Sequence, residues 1–231
     1  MKPASKVLSL LTSVAAALFL LSGAIAVPIL WRGFYYLQID ALALPARTGF
    51  SPEVIRGAFD QVMDFLVKGA PFGTGELKWS ESGMSHFADC RVLFRLDFVV
   101  LALSAALLVL ILLLVKTGRV RLHRFLGQGP CFWAVAVMAG LLAVLGVWAL
   151  ADFDGFFTAF HTAFFPGKTN WVFDWRTDEI ILILPEEFWA RAAGLVAGLA
   201  FGVGVLLAVL ERFLPGVGEP SVYDQLRNWR R

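Results

Sequence analysis

Two histidines, His86 and His161, stand beside long apolar runs and are the side chains here best suited to moving protons near neutral pH. His86 lies in SGMSHFADC, with Asp89 three residues on and Cys90 four residues on. On a helix such residues are neighbours, so the Asp89 carboxylate could fix the His86 tautomer and raise its basicity. His161 stands inside FDGFFTAFHTAFF, among Phe153, Phe156, Phe157, Phe160, Phe164 and Phe165. A stripe of aromatics alone means anchoring at an interface; around a reactive group, Phe157, Phe160 and Phe164 become a wall for acyl chains. The third histidine, His123, sits among arginines and reads as a partner of lipid phosphates.

Other chemistries have weaker support. His86, His161, Asp89 and Asp154 could ligate zinc, but no HExxH spacing is present. Ser82, Ser85 and Thr162 could serve as nucleophiles, yet there is no GxSxG turn. Cys90 has an apolar setting that gives no sign of an activated thiol, and it forms no zinc or redox spacing with Cys131. No cofactor is expected.

Such residues need a scaffold, and composition names its solvent. Of 231 residues, 58% are hydrophobic and 16% charged, and the mean hydropathy is +0.73. Soluble domains carry about 25% charged residues, so the chain reads as a membrane protein. Twenty basic against eighteen acidic residues leave a charge of +2, too balanced for a nucleic-acid binder. A bilayer core of ~30 Å needs about 20 apolar helical residues. Four stretches qualify, at about 7–29, 98–115, 131–151 and 188–210. The first follows Lys2 and Lys6 and resembles a signal peptide, but its apolar run is longer than the ~7–15 residues of such a segment, which favours retention. The second span, nearly pure Leu, Val, Ala and Ile, predicts wide lipid exposure. The fourth carries Gly194, Gly198 and Gly202, a ridge expected to allow close helix approach, and Arg191 near its start, expected to snorkel.

Lys2 and Lys6, the connection with Lys116, Arg119, Arg121 and Arg124, and the tail with Arg227, Arg230 and Arg231 place these three segments in the cytoplasm by the positive-inside rule. The tail, ending Asn228-Trp229-Arg230-Arg231, is expected to meet anionic lipid. Loops 31–97 and 152–187 then lie outside, the second rich in acids. Trp31 and Tyr35-Tyr36 read as an interfacial aromatic belt. The first outer loop reads as two helices. One is capped by Ser51 with Pro52 at its first position, and apolar residues from Val54 to Leu66 make a face for the membrane or the other loop. The next begins near Ser82 and runs into the second span. Pro185-Glu186-Glu187 suits a further helix start. The expected fold is therefore an all-α membrane protein, a single membrane domain over 1–231. It has four transmembrane helices, cytoplasmic termini and two helical outer loops forming an extracytoplasmic cap. His86 and His161 fall in the same outer layer, where polar groups at membrane depth need a reason to exist.

The stretch from Phe153 to Trp189, with FHxxFF, then Trp-x-Phe-Asp, an apolar run and Pro-Glu-x-Phe, resembles the signature of the bacterial lipoprotein intramolecular transacylases, the Lit family. The segment SGMSHFADCRVLF and Tyr35-Tyr36 are similar too, and the likeness covers all four spans. One departure is visible: Asp174-Trp175-Arg176 follows Phe173 where the family has Asp-Pro.

The resemblance implies an enzyme of the bacterial cell membrane that moves the sn-2 acyl chain of an S-diacylglyceryl cysteine to that cysteine's own α-amino group. The product is an N-acyl, monoacylglyceryl lyso-form lipoprotein. Diacylglyceryl lipoproteins and membrane lipids are then its partners, without nucleic acid. The family's two outer-loop histidines carry over to His86 and His161, one as base to the amine and the other as acid to the sn-2 oxygen. In that setting Asp89 would orient His86, and Asn170, Trp171 and Arg176 could donate to the developing oxyanion. A non-enzymatic membrane partner and a metal-dependent hydrolase are the alternative readings.

Overall fold

The computed structural model describes residues 4–214, 216 and 217; the expected basic tail with Arg227, Arg230 and Arg231, and Lys2, lie outside the described residues. Among the described residues eight α-helices follow in order: α1 (Lys6–Leu30), α2 (Gly33–Ala41), α3 (Leu44–Thr48), α4 (Pro52–Met63), α5 (Glu81–Lys116), α6 (Pro130–Ala151), α7 (Phe153–Phe164) and α8 (Glu186–Glu211). A π-helical turn, Asp64–Lys68, prolongs α4, and a 3₁₀ turn, Glu179–Ile183, precedes α8. Among the described residues only isolated bridges, and no strands, accompany them. Helices α1, α5, α6 and α8 are long and apolar enough to cross a membrane, so the chain is an all-helical, multi-pass membrane protein. Helix α5 has 36 residues, roughly 54 Å at 1.5 Å per residue, far more than a bilayer core requires. Its apolar part is 98–115, and the turns 81–97 before it carry Glu81, Asp89, Arg91, Arg95 and Asp97.

The helix starts follow local chemistry. Ser51 caps α4 by accepting from the Val54 N–H at 3.3 Å, with Pro52 in the first turn. Gly69, at φ +80°, ends the π turn in a conformation open to glycine. Asp152 caps α7 by accepting from the Gly155 N–H at 2.9 Å, which breaks the chain between α6 and α7 rather than letting the span continue. Ser80 caps α5, accepting from the Gly83 N–H at 3.0 Å. Glu186 and Glu187 occupy the first turn of α8, where the helix dipole favours acids.

The contacts divide the chain into two compact units. The first comprises 24–99 and 144–197. Its core packs α2, α3, α4, the first turns of α5, the 3₁₀ turn and the start of α8. The apolar face of α4 is buried there, with Ile55, Ala58, Phe59 and Val62 inside; it lies against the second loop's Ile180 and Ile183 as well as the first loop's own helices. Two short helices, α2 and α3, fill a stretch that reads as belt and loop. Tyr35 corrects the belt expectation: it is buried, stacked on Phe59 with centroids 3.7 Å apart, and donates its hydroxyl to the Ile183 carbonyl at 2.8 Å. An aromatic with a satisfied hydroxyl is as well suited to a core as to an interface. Trp31 remains exposed. Arg191 does not snorkel freely but donates to Gln38 Oε1 at 2.7 Å.

The second unit comprises, among the described residues, 4–23, 100–143 and 198–217. Ser13 donates to the Pro130 carbonyl at 3.0 Å, and Leu122 bridges to both Ser5 and Val217. Both Glu211 carboxylate oxygens accept from the Cys131 N–H, at 3.2 and 3.1 Å, where a carboxylate complements the start of α6. The glycine ridge behaves differently from expectation: a Cβ at Gly194, Gly198 or Gly202 would meet nothing within 4 Å. The close approach is at Gly204, where a Cβ would lie 2.6 Å from Val135 and 3.2 Å from Leu20. Gly204 is two residues beyond Gly202, about 200° around a helix, so the tight contact does not lie along the ridge. The second span has the lipid exposure its composition predicts, with Val99, Leu103, Val109, Leu110 and Leu113 on the surface.

Candidate active site

Helix α5 carries His86 in its second turn, and α7 carries His161 two turns into its length. The two imidazoles meet, with centroids 5.7 Å apart and planes inclined by 39°. The structure thus brings the sequence-predicted pair together. Phe165 and Phe173 stand edge-on to His86 at 4.9 and 5.5 Å. Phe157 lies 3.9 Å from His161 and Trp171 stacks on it at 4.9 Å. His86 is buried and His161 half-buried.

Phe157 also fixes a proton. Its carbonyl oxygen lies 2.8 Å from His161 Nδ1. A carbonyl only accepts, so Nδ1 carries the hydrogen and Nε2 of the neutral ring keeps a lone pair. His86 Nε2 lies 3.4 Å from Cys90 Sγ, and His86 Nδ1 is buried without a partner. Burial pushes His86 down to about 4; the neighbouring His161 and Lys168 act in the same direction, and Asp89 opposes them. Burial also lowers His161, against the bond to the Phe157 carbonyl. Both rings are therefore neutral at pH 7. Burial pushes the Cys90 thiol up to about 12, the reverse of an activated nucleophile.

The segment between α7 and the 3₁₀ turn is fastened to α5 at two points. Asp178 accepts from the Ser80 N–H at 2.8 Å and from the Ser80 hydroxyl, and is itself buried. Gly83 makes the approach feasible, since a Cβ there would run into the Asp178 carboxylate and come within 2.9 Å of the Phe173 ring. At the second point Asp89 accepts from Lys168 Nζ and from Asn170 Nδ2, the latter at 2.9 Å. Burial works to raise the Asp89 carboxyl, but these two bonds outweigh it and hold it below the usual carboxylate range.

That arrangement alters the supporting roles. Asp89 is engaged by Lys168 and Asn170 rather than hydrogen-bonded to His86, so it ties two segments together. Asn170 spends its amide hydrogens on Asp89 and on Ser85 Oγ at 3.3 Å. Trp171 donates its indole N–H to the Lys168 carbonyl at 2.9 Å and offers His161 a ring face. Arg176 stays at the surface, 3.9 Å from Asp174 and over the Trp175 ring. Phe157 and Phe160 both border His161, and Phe164 touches Phe160. Phe160 and Phe164 are 43% and 52% exposed, an open apolar face beside the pair. Phe173 and Lys168 escape sequence reasoning as site residues; Lys168 was detectable as one of two cations in an acidic loop. Among the described residues no group of three or more His, Cys, Asp or Glu is placed to hold a metal ion.

Four apolar helices and a neutral histidine pair walled by aromatic rings define an integral membrane protein with a site suited to proton transfer beside apolar chains. Residues 10–189 match the family model described as lipoprotein intramolecular transacylase Lit. The chain belongs to that family, and is a membrane acyltransferase acting on lipoproteins. The fold is similar to the in meso structure of the membrane-integral lipoprotein intramolecular transacylase Lit from Bacillus cereus. There the TM-score is 0.80 at 22% identity over 90% of this chain and 94% of that one. Two structures of the same Bacillus cereus protein, with a histidine replaced by alanine or by arginine, match at a TM-score of 0.76 and 22% identity. They cover 90% of this chain and 92% and 90% of theirs. No curated protein matches the chain.

Proposed function

We propose that this enzyme moves the sn-2 acyl chain of an S-diacylglyceryl cysteine to the α-amino group of the same cysteine, with His86 and His161 as its acid–base pair. The observation that carries the reading is the meeting of two imidazoles 5.7 Å apart inside an aromatic wall. Amine and ester belong to one molecule, so orientation supplies an effective molarity of ~10⁵ M or more in favourable cases. No acyl-enzyme is needed, consistent with the high thiol pKa of Cys90.

The hydrogen-bond partners of the two rings support a division of labour. His161 Nε2, the free lone pair, accepts a proton from the amine as its nitrogen bonds to the ester carbonyl carbon. With the protonated Cys90 thiol taken as donor to His86 Nε2, 3.4 Å away, the ring proton sits on Nδ1. As the ester C–O bond breaks, the sn-2 oxygen takes that proton, and the His161 imidazolium returns one to His86. The aromatic face of Phe160 and Phe164 receives the acyl chains. The basic flanks support a topology with both termini in the cytoplasm, the two longer loops as a cap and the site at the outer membrane face, where lipoprotein esters are displayed.

Mass spectrometry of a diacylglyceryl lipopeptide incubated with the purified protein tests this. Transfer conserves mass, so fragmentation must place an N-acyl cysteine and a monoacylglyceryl group on one product. Release of free fatty acid identifies a hydrolase instead, and an unchanged lipopeptide overturns the reading.

A further inference from the structure

We propose that Asn170 is the amine-recognition residue of the site, accepting a hydrogen bond from the substrate's free α-amine through its side-chain oxygen. The inference rests on the transacylase reading and adds to it the residue that distinguishes an amine from other head groups. A carboxylate can only accept hydrogen bonds, so the Asn170 amide must turn its NH₂ toward Asp89. Ser85 Oγ takes a further contact from the same nitrogen. The amide oxygen is thereby committed to the opposite side, where it is buried and without a partner.

A buried acceptor of this kind is costly unless something donates to it. His86 Nδ1 is the other orphaned polar atom around the pair, and Asn170 is tied to the pair on both sides: its amide meets Ser85, which precedes His86 on α5, and the next residue, Trp171, stacks on His161. A bound substrate must therefore bring a donor to one and meet the proton of the other. In the diacylglyceryl cysteine head the α-amine is such a donor, while the ester and thioether offer only acceptors. A neutral amine has two N–H groups and one lone pair. Asn170 Oδ1 holds one N–H and His161 Nε2 the other, which leaves the lone pair directed at the ester carbon. This reverses the sequence-based role of Asn170 as an oxyanion donor, because its donors are already engaged.

The test uses unreactive ligands with the full-length protein in detergent. One is an S-dialkylglyceryl cysteine lipopeptide, with ethers replacing both esters and a free amine. The other is its des-amino counterpart, built on mercaptopropionate. Asn170→Ala is expected to weaken the amine ligand about ten-fold, the scale of one lost hydrogen bond, and to leave the des-amino ligand unchanged. If Asn170→Ala does not fold, Asn170→Ser carries the same comparison. Equal weakening of both ligands, or of neither, overturns the assignment. The transacylase reading fails separately, if wild-type protein leaves the diester lipopeptide unconverted.

Discussion

Phe157 holds His161 twice, through its carbonyl oxygen 2.8 Å from Nδ1 and through its ring 3.9 Å from the imidazole centroid. The first contact selects the tautomer and the second covers one face of the ring. Both belong to one residue, one helical turn before the histidine.

That arrangement predicts an unusual titration. A lowered pKa means that protons bind only at lower pH, so both rings stay neutral where an ordinary histidine is half charged. In ¹⁵N NMR of histidine-labelled protein, His86 should protonate near pH 4 and His161 below 6.5. Phe157→Ala, which lets water reach the ring, should move His161 back up toward 6.5. A wild-type His161 midpoint at or above 6.5 would contradict the burial argument.

Replacing either histidine should remove acid–base assistance. His86→Ala and His161→Ala are each expected to slow acyl transfer by roughly 10²–10⁴-fold, with helical content by circular dichroism unchanged. Phe164→Ala, whose ring packs on Phe160 rather than on either imidazole, should retain the chemical step and weaken lipopeptide binding instead. Full turnover in either histidine variant would exclude it from catalysis.

The fastening of the second loop should be visible in stability. Asp178→Ala leaves the Ser80 N–H and hydroxyl without their acceptor and should cost about 1–3 kcal/mol. Thermal unfolding in detergent measures it as a lowered Tm. Gly83→Ala should act in the same direction, because its Cβ displaces the same carboxylate.

The two glycine faces of α8 separate by substitution. Gly204→Leu forces a side chain against Val135 and Leu20 and should destabilise by about 1–3 kcal/mol. Gly198→Leu meets open space and should leave the Tm within a degree or two of wild type. The reverse order would restore the GxxxG ridge as the packing face.

Elements governed by neighbouring residues were legible in advance. The Ser51 cap, the helix running from residue 81 into the second span, and the start of α8 after Pro185 all follow from local chemistry. The histidine pair was legible because chain charge and apolar length assigned both residues to one layer. What escaped was decided by distant partners. Spacing puts Asp89 near His86, but Lys168 and Asn170, some eighty residues away, compete for its oxygens. Tyr35 reads as a belt residue until Phe59 and Ile183 enclose it. Arg176 has the right charge for an oxyanion, yet its turn carries it to Asp174 and Trp175.

The two carboxylates that secure the second loop, Asp89 and Asp178, have an entropic consequence. They hold the residues around Trp171 and Phe173 to the first turns of α5 before any lipid arrives. Restricting those side chains during binding would cost about 0.5–1.5 kcal/mol for each one immobilised. Because folding has already restricted them, that cost is absent when a floppy, two-chained substrate docks, and the conformational freedom surrendered at that step is the lipid's alone.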